Sequence, residues 1–261
     1  MRRYLGRQVM LLLPFLAFLL FWEIAARCVE RGQYFYGSPS IVAHHLWNRA
    51  LSGSLFVDIY TTGLEAILGF LIGTVLGTTL GITLGYWPKV ARVAQPYVIG
   101  LGVIPIFAIA PILIIWFGIG LTSKIAMASL STIFVATFQA YEGVRNVDGD
   151  YVFLMRTMGS TRWQLFRHVV LPSAAVWVLA GARLNVGFAI LGAFLGEVIA
   201  SDHGLGQMII NATGLFNIPV AMAGVVGLCM LALVLVLCCT LIERALLPWR
   251  KDVVITGEES R

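Results

Sequence analysis

Charge is what this sequence has least of. Only 12% of its 261 residues are Asp, Glu, Lys or Arg, against 59% hydrophobic. A water-soluble domain cannot cover its surface with so few charges, so the soluble classes are excluded. Lysine is scarcest: Lys89, Lys124 and Lys251 are the whole set. None lies in a Gly-x4-Gly-Lys-Ser/Thr phosphate loop, so the chain hydrolyses no ATP by that route. The cysteines, Cys28, Cys229, Cys238 and Cys239, have no zinc-ligand spacing and form no plausible disulfide framework; they read as small apolar packing residues. Histidine is limited to His44, His45, His168 and His203, all outside the expected spans, and no metal site is expected. There is no soluble linker, low-complexity tract or convincing internal repeat. A single membrane domain, 1–261, accounts for the whole chain.

What is abundant is long apolar sequence. Several stretches exceed the roughly 18 uncharged residues of a spanning candidate. The sequence predicts an all-α polytopic membrane protein with six transmembrane helices: Val9–Ala26, Thr61–Tyr86, Tyr97–Phe117, Ile125–Gly143, Ala174–Ala200 and Val220–Ile242. The opening MRRYLGRQ and its apolar run invite a signal-peptide reading. No small-residue cleavage site follows and the run is long, so a retained first span is expected.

Orientation follows from the basic residues. With both termini in the cytoplasm, the inner side carries Arg2, Arg3, Arg7, Lys89, Arg92, Arg145, Arg156, Arg162, Arg167, Arg244, Arg250, Lys251 and Arg261. The outer side keeps Arg27, Arg31, Arg49 and Lys124, and Arg183 lies within a span. The bias explains the net charge of +5 through the anionic cytoplasmic leaflet, without nucleic acid. On the outer side, between Glu30 and Tyr60, Ile41, Leu46, Trp47 and Leu51 predict an amphipathic helix at the interface, with His44 and His45 as ordinary interfacial residues.

The spans carry three internal signals. Gly69, Gly73, Gly77, Gly81 and Gly85 recur every fourth residue, a smooth groove that serves either tight helix packing or a surface that slides during transport. Gly181, Asn185, Ala189 and Ala193 form a related stripe with Gly192 and Gly196. Pro105 and Pro111 interrupt the third span and free backbone carbonyls, which suits a helix lining a pathway. Arg183 and Glu197 are charges inside the bilayer, where each costs about 2.5–3.5 kcal/mol. They are about 21 Å apart along a helix and cannot pair directly. With Pro105, Pro111 and Asn185 they are the candidate translocation-path residues; Glu65 is a weaker one.

Between the fourth and fifth spans runs RNVDGDYVFLMRTMGSTRWQLFRHVVLP, residues 145–172, neither apolar nor disordered. Tyr151, Leu154, Met155 and Met158 recur at helical spacing, with Asp148 and Asp150 placed to favour the helix N-terminus. A break is expected at Gly159. Thr161 and Gln164 have capping-box spacing, and Trp163, Phe166 and Val170 define one apolar face. Leu171-Pro172 is expected to end that helix. A connection this long inside a compact membrane domain is a docking surface.

Here a resemblance becomes specific. Gly159, nine residues and Val169-Val170-Leu171-Pro172 resemble the loop signature of importer-type ABC permeases. SPS at 38–40, IAPILIIWFGIGLTSK at 109–124, GVRNVD at 143–148, LAGARL at 179–184 and GEVIASDHGLGQMI at 196–209 extend the similarity from Ser38 to Trp249. Together they are similar to the nitrate/sulfonate/taurine branch of that superfamily. One departure stands out: the family's Glu-Ala-Ala falls on Phe153, Leu154 and Met155, so any contact made by the acidic group is not carried over.

The resemblance implies a type I importer permease whose loop is a coupling helix, passing a small solute delivered by an external binding protein, periplasmic or lipid-anchored, at the bacterial inner membrane. A separate ATPase dimer, holding ATP and magnesium, would grip Tyr151, Leu154, Met155, Arg156, Met158, Gly159 and Ser160, with Leu171 and Pro172 closing the loop. No cofactor is expected on this chain. A second copy or a sister subunit would complete the membrane core, a homodimer being preferred, and the binding protein would meet the outer surface near 202–218. Arg156, Arg162 and Arg167 either contact acidic partner surfaces and lipid phosphates or simply follow the positive-inside rule. Two alternatives stay open: an ion-coupled carrier, and an intramembrane enzyme, against which stands the absence of G-x-S-G, H-E-x-x-H and G-x-G-D.

Overall fold

The computed structural model describes residues 2–29 and 36–246, with side chains in the first helix from Leu13 onward. Glu30, Arg31, Trp249, Arg250, Lys251 and Arg261, used above for topology and resemblance, lie outside the described residues. The described part is helical: α1 Arg2–Cys28, α2 Pro39–Leu51, α3 Ser54–Tyr86, α4 Pro88–Val103, α5 Ile106–Phe117, α6 Leu121–Arg145, α7 Gly149–Thr157, α8 Arg162–Leu165, α9 Leu171–Ile199, α10 Leu205–Gly214 and α11 Ile218–Leu246. No strand occurs among the described residues.

Among the described residues, four segments are long and apolar enough to cross a membrane: α3, α6, the run Arg162–Ile199 and α11. The pair α4 and α5 makes a fifth if it is one broken span. The sixth expected span, Val9–Ala26, falls inside α1, so this criterion counts five of six. The break between α4 and α5 falls at Ile104-Pro105, where Pro105 caps α5; Pro111 is carried inside α5 without ending it. The kinked Tyr97–Phe117 helix of the sequence is therefore two helices.

The helices belong to two compact units. One comprises residues up to Gly69, Pro105–Ala128 and Ala189–Ala232; the other Phe70–Ile104, Ser129–Phe188 and the chain from Leu233. In the first unit, Glu23 of α1 organises the start of α2. Its carboxylate accepts from the Ser40 N–H (3.1 Å) and hydroxyl (2.8 Å) and pairs with Arg27 (2.6 Å), so a negative charge sits at a helix N-terminus whose Pro39 is already set for helix. The apolar residues of α2 divide. Val42 is buried with Met208 and Ala223, and Leu46 packs against that cluster, whereas Trp47 and Leu51 point outward. His44 bonds Asn48 one turn away (3.0 Å), and the described residues contain no metal-binding group.

In the second unit the glycine stripe of α3 meets α6. A β-carbon on Gly73 would overlap Thr132 Oγ1, one on Gly77 the Ile133 carbonyl, and one on Gly81 the Thr137 carbonyl. Gly85 faces the Val144 side chain. Backbone approaches this close are tight packing, and glycine is required because a carbonyl cannot move aside. Gly69, one turn earlier, heads the stripe within the other unit. Gly81→Leu should therefore destabilise the permease fold by about 1–3 kcal/mol or more. Detergent thermal unfolding checks this; an unchanged midpoint would mean that α3 and α6 are not packed there.

The cysteines depart from expectation. All four are free; Cys28 is exposed at the end of α1, and Cys229 and Cys238 are exposed because α11 turns an uncovered apolar face outward, as a lipid-facing helix does.

Candidate functional site

The loop after α6 is built as a lever with a narrow base. At that base Gly143 lies against Ala174 and Trp177, and the Ser173 hydroxyl donates to the Gly143 carbonyl (3.2 Å). The chain thus leaves α6 and re-enters a helix at adjoining points. Asp148 caps α7, accepting from the Asp150 N–H (2.9 Å). At the other end the Ser160 N–H reaches the Met155 carbonyl (3.1 Å) and the Gly159 N–H that of Arg156 (3.0 Å), a Schellman cap with Gly159 at φ +72°. The expected capping box is present: Gln164 Oε1 accepts from the Thr161 N–H (2.7 Å), and the Gln164 N–H donates to Thr161 Oγ1 (3.3 Å).

No residue of α7 is buried. Tyr151, Phe153, Leu154 and Met158 are 56–75% exposed, Met155 is half-buried, and Arg156, Arg162 and Arg167 project outward. The Ser160 hydroxyl is buried without a hydrogen-bond partner among the described residues. On α8, Trp163 stacks on Phe166 at 5.6 Å, and Phe166 meets Tyr86 edge-on at 5.2 Å, which seats the elbow on the end of α3. Burying each exposed apolar side chain of α7 against a partner would gain about 1.5–3 kcal/mol.

Leu171-Pro172 does not end the helix. Residues 166–170 form a π-turn in which the Leu171 N–H reaches back to the Phe166 carbonyl, and the helix runs on to Ile199. Leu171 stays helical, with φ −65° and ψ −45°, although it precedes proline. The wider turn supplies the room that a proline ring takes from the carbonyl four residues back, so the break expected from the sequence is absorbed as a bulge.

A second polar assembly lies in the other unit, and of it the sequence singled out only Glu197 and Glu65, with Lys124 counted as an outer-side charge. Asp58, Thr62 and Glu65 occupy one face of α3, and Thr62 and Glu65 are fully buried. Thr62 donates to Glu197 Oε1 (2.6 Å) and accepts from the Leu205 N–H (2.9 Å). The Gly206 N–H donates to Glu197 Oε2 (2.6 Å), and the Gly204 N–H to Asp58 Oδ1 (3.0 Å). Two carboxylates and a hydroxyl therefore take the free N–H groups that begin α10. Lys124, 6% exposed, pairs with Glu65 (3.3 Å) and donates to Ser201 (2.5 Å). Gly204, at φ +122°, wraps so closely that a β-carbon would overlap Glu197 Oε1. The legible signal was the spacing of Asp58, Thr62 and Glu65, one polar stripe on an apolar helix.

The remaining path candidates have separate partners. Arg183 pairs with Glu243 of α11 (2.9 Å). Asn185 is fully buried and donates to Gln139 Oε1 (3.1 Å), while the Gln139 amide donates to the Gly181 carbonyl (3.4 Å). Pro105 and Pro111 are exposed on α5 and its cap.

Residues 69–252 match the family model of the binding-protein-dependent transport system inner membrane component. The chain belongs to this permease family. It is 35% identical over 245 residues to a riboflavin transport system permease protein of Chloroflexus aurantiacus, covering 94% of this chain and 90% of that one. It is 34% identical to a formylaminopyrimidine transport permease protein of Halalkalibacterium halodurans, covering 91% and 94%. It is 31% identical to an aliphatic sulfonates transport permease protein of Escherichia coli, covering 87% of each. In fold, the permease is similar to the MetNI methionine ABC transporter in an inward-facing form, with TM-score 0.67 at 20% identity over 75% of this chain and 97% of that chain. The protein is thus a multi-pass ABC importer permease of the membrane, a transport subunit and not an enzyme, working with an ATPase and a binding protein. The carrier and enzyme alternatives are not favoured.

Proposed function

We propose that this permease forms, as a homodimer, the membrane core of an importer for a small organic solute, with both termini and the 145–172 loop in the cytoplasm. The observation that carries the reading is the unburied apolar face of α7, held by two caps and the Gly159 turn on a base closed by Gly143 and Ala174. Such an element is rigid yet incomplete. An ATPase dimer, holding ATP and magnesium, covers it with Tyr151, Leu154, Met155, Arg156, Met158, Gly159 and Ser160 as contacts. Closure of the motor on ATP then moves α6 and the Arg162–Ile199 helix as rigid bodies, Leu171 and Pro172 lying at the bulge where the loop joins the span. Phe153, where relatives of the loop carry a carboxylate, makes the contact apolar. Beyond the loop, the Arg183–Glu243 pair and the Asn185–Gln139 pair are the polar groups of the candidate path in the same unit as the lever.

The solute belongs to the chemistry of the relatives: a flavin, a substituted pyrimidine or an aliphatic sulfonate. The test is uptake of these three classes into vesicles holding the permease, its ATPase and its binding protein. Uptake of one class should require lumenal ATP and continue when proton and sodium gradients are collapsed. Uptake that stops with the gradients while ATP is present contradicts the reading.

A further inference from the structure

The two glutamates of the buried polar assembly are not equivalent. Glu197 is a satisfied acceptor, its two oxygens taking the Thr62 hydroxyl and the Gly206 N–H at 2.6 Å each. Glu65 takes nothing. It is 0% exposed, and both its oxygens are buried without a hydrogen-bond partner among the described residues. Lys124 stands 3.3 Å from Glu65 Oε1 but is not aligned to bond it. Its ammonium donates to Ser201, and its stem is held against Gly196, where a β-carbon would come within 2.9 Å of Lys124 Cγ. An ionised carboxylate in this position has given up water and gained no donor, one of the costliest arrangements in a protein.

The groups around Glu65 select what completes it. From α9 comes the Glu197 carboxyl, within hydrogen-bond reach, and from α6 comes Lys124. Asp58, on the same face of α3, is taken up by Arg49 (3.3 Å) and the Gly204 N–H. Asp202 and His203 are exposed, and His203 enters through its carbonyl, which accepts from Ser201. Two glutamates therefore oppose one lysine. As carboxylates they have no hydrogen to offer each other and they repel. One proton answers both problems, since it makes Glu65 a donor and leaves Glu197 and Lys124 as one charge of each sign. A metal cation is the poorer fit: the described residues hold no group of three His, Cys, Asp or Glu side chains placed to bind one.

We propose that Glu65 is a proton-binding site, held as the neutral acid and donating to the Glu197 carboxylate, which ties α3 to α9 beside the start of α6. All three residues belong to one compact unit, so the inference needs neither the orientation nor the motor contact proposed above. The sign of its pH dependence follows. The tie is whole while the proton is bound and is lost as rising pH removes it, leaving two adjacent carboxylates on one lysine.

The test uses the full-length permease in lipid nanodiscs. Glu65→Gln offers Glu197 an N–H donor and carries no charge, so at neutral pH its unfolding midpoint should lie no more than about 2 °C below wild type. A larger fall overturns the proposal; about 6 °C or more is expected if Glu65 is an anion whose removal strands the buried Lys124 ammonium. Infrared spectra read the proton itself. At neutral pH the wild type should show a protonated-carboxyl C=O band, shifted in D2O, that Glu65→Gln lacks, and identical spectra overturn the proposal. As the pH is raised, the wild-type midpoint should fall further than that of Glu65→Gln. Parallel falls overturn the proposal. So does a wild-type midpoint that drops at neutral pH when choline replaces sodium, which would put a metal cation in the place of the proton.

Discussion

Gly159→Trp leaves the permease inserted in the membrane and abolishes its association with the ATPase. Two properties of the position produce this result. At φ +72° any side chain is strained, and the turn it makes sets the angle between α7 and α8. A β-carbon there meets nothing within 4 Å, so the bulk of tryptophan would project into the space that a partner occupies and would not disturb the chain's own packing. The readout is co-purification with the ATPase from detergent, set against membrane-extracted yield. Expected is full or near-full yield with association reduced at least a hundredfold. A permease that still carries its ATPase would show that the elbow is not a docking surface.

The second large effect is expected at Glu197. Its two oxygens take the Thr62 hydroxyl and the Gly206 N–H at 2.6 Å each, at a site with no access to water. Glu197→Ala strands the Gly206 N–H, leaves the Thr62 hydroxyl only the Asp58 carbonyl (3.0 Å), and removes a negative charge from the neighbourhood of Lys124. A buried donor left unpaired costs about 1–3 kcal/mol. Breaking into a buried charged group costs about 3–5 kcal/mol. The expected loss is at the upper end, about 4 kcal/mol, enough to lower the yield of folded permease sharply. Glu197→Gln keeps one acceptor and should fall between the two. Gly204→Ala should resemble Glu197→Ala although it removes no charge, because its β-carbon displaces the same carboxylate. Thermal unfolding of the purified proteins checks the order. Wild-type stability in Gly204→Ala would contradict the close wrap around Glu197.

These two sites differ in how far the sequence revealed them. The loop was legible because its signals are local. Asp148 before α7, Gly159 after it, and the Thr161–Gln164 box each act within one turn of chain, and all three appear in the structure. The glycine stripe was legible as packing, although its partner, α6, was not. What was missed depends on residues far apart in sequence. Thr62 reaches Glu197, Asp58 reaches Gly204, and Lys124 reaches both Glu65 and Ser201. Periodicity reports one helix at a time and cannot say which faces meet. Leu171-Pro172 misled for a different reason. The rule that a residue before proline leaves the helical region is a local preference, and a π-turn with an apolar helix continuing beyond it overrode that preference. Glu197 drew notice as a charge in a span. Its partners, however, are the backbone and hydroxyl groups at the start of α10, so what the structure records for it is helix capping.

The account depends most on the side of the membrane that α7 faces. In permease whose four native cysteines are replaced by serine, Phe153→Cys places a single thiol on the exposed face of α7, and a membrane-impermeant maleimide reports its accessibility. The account predicts no labelling in intact cells, ready labelling in inside-out vesicles, and protection there once the ATPase is bound. Labelling of intact cells from outside would contradict it.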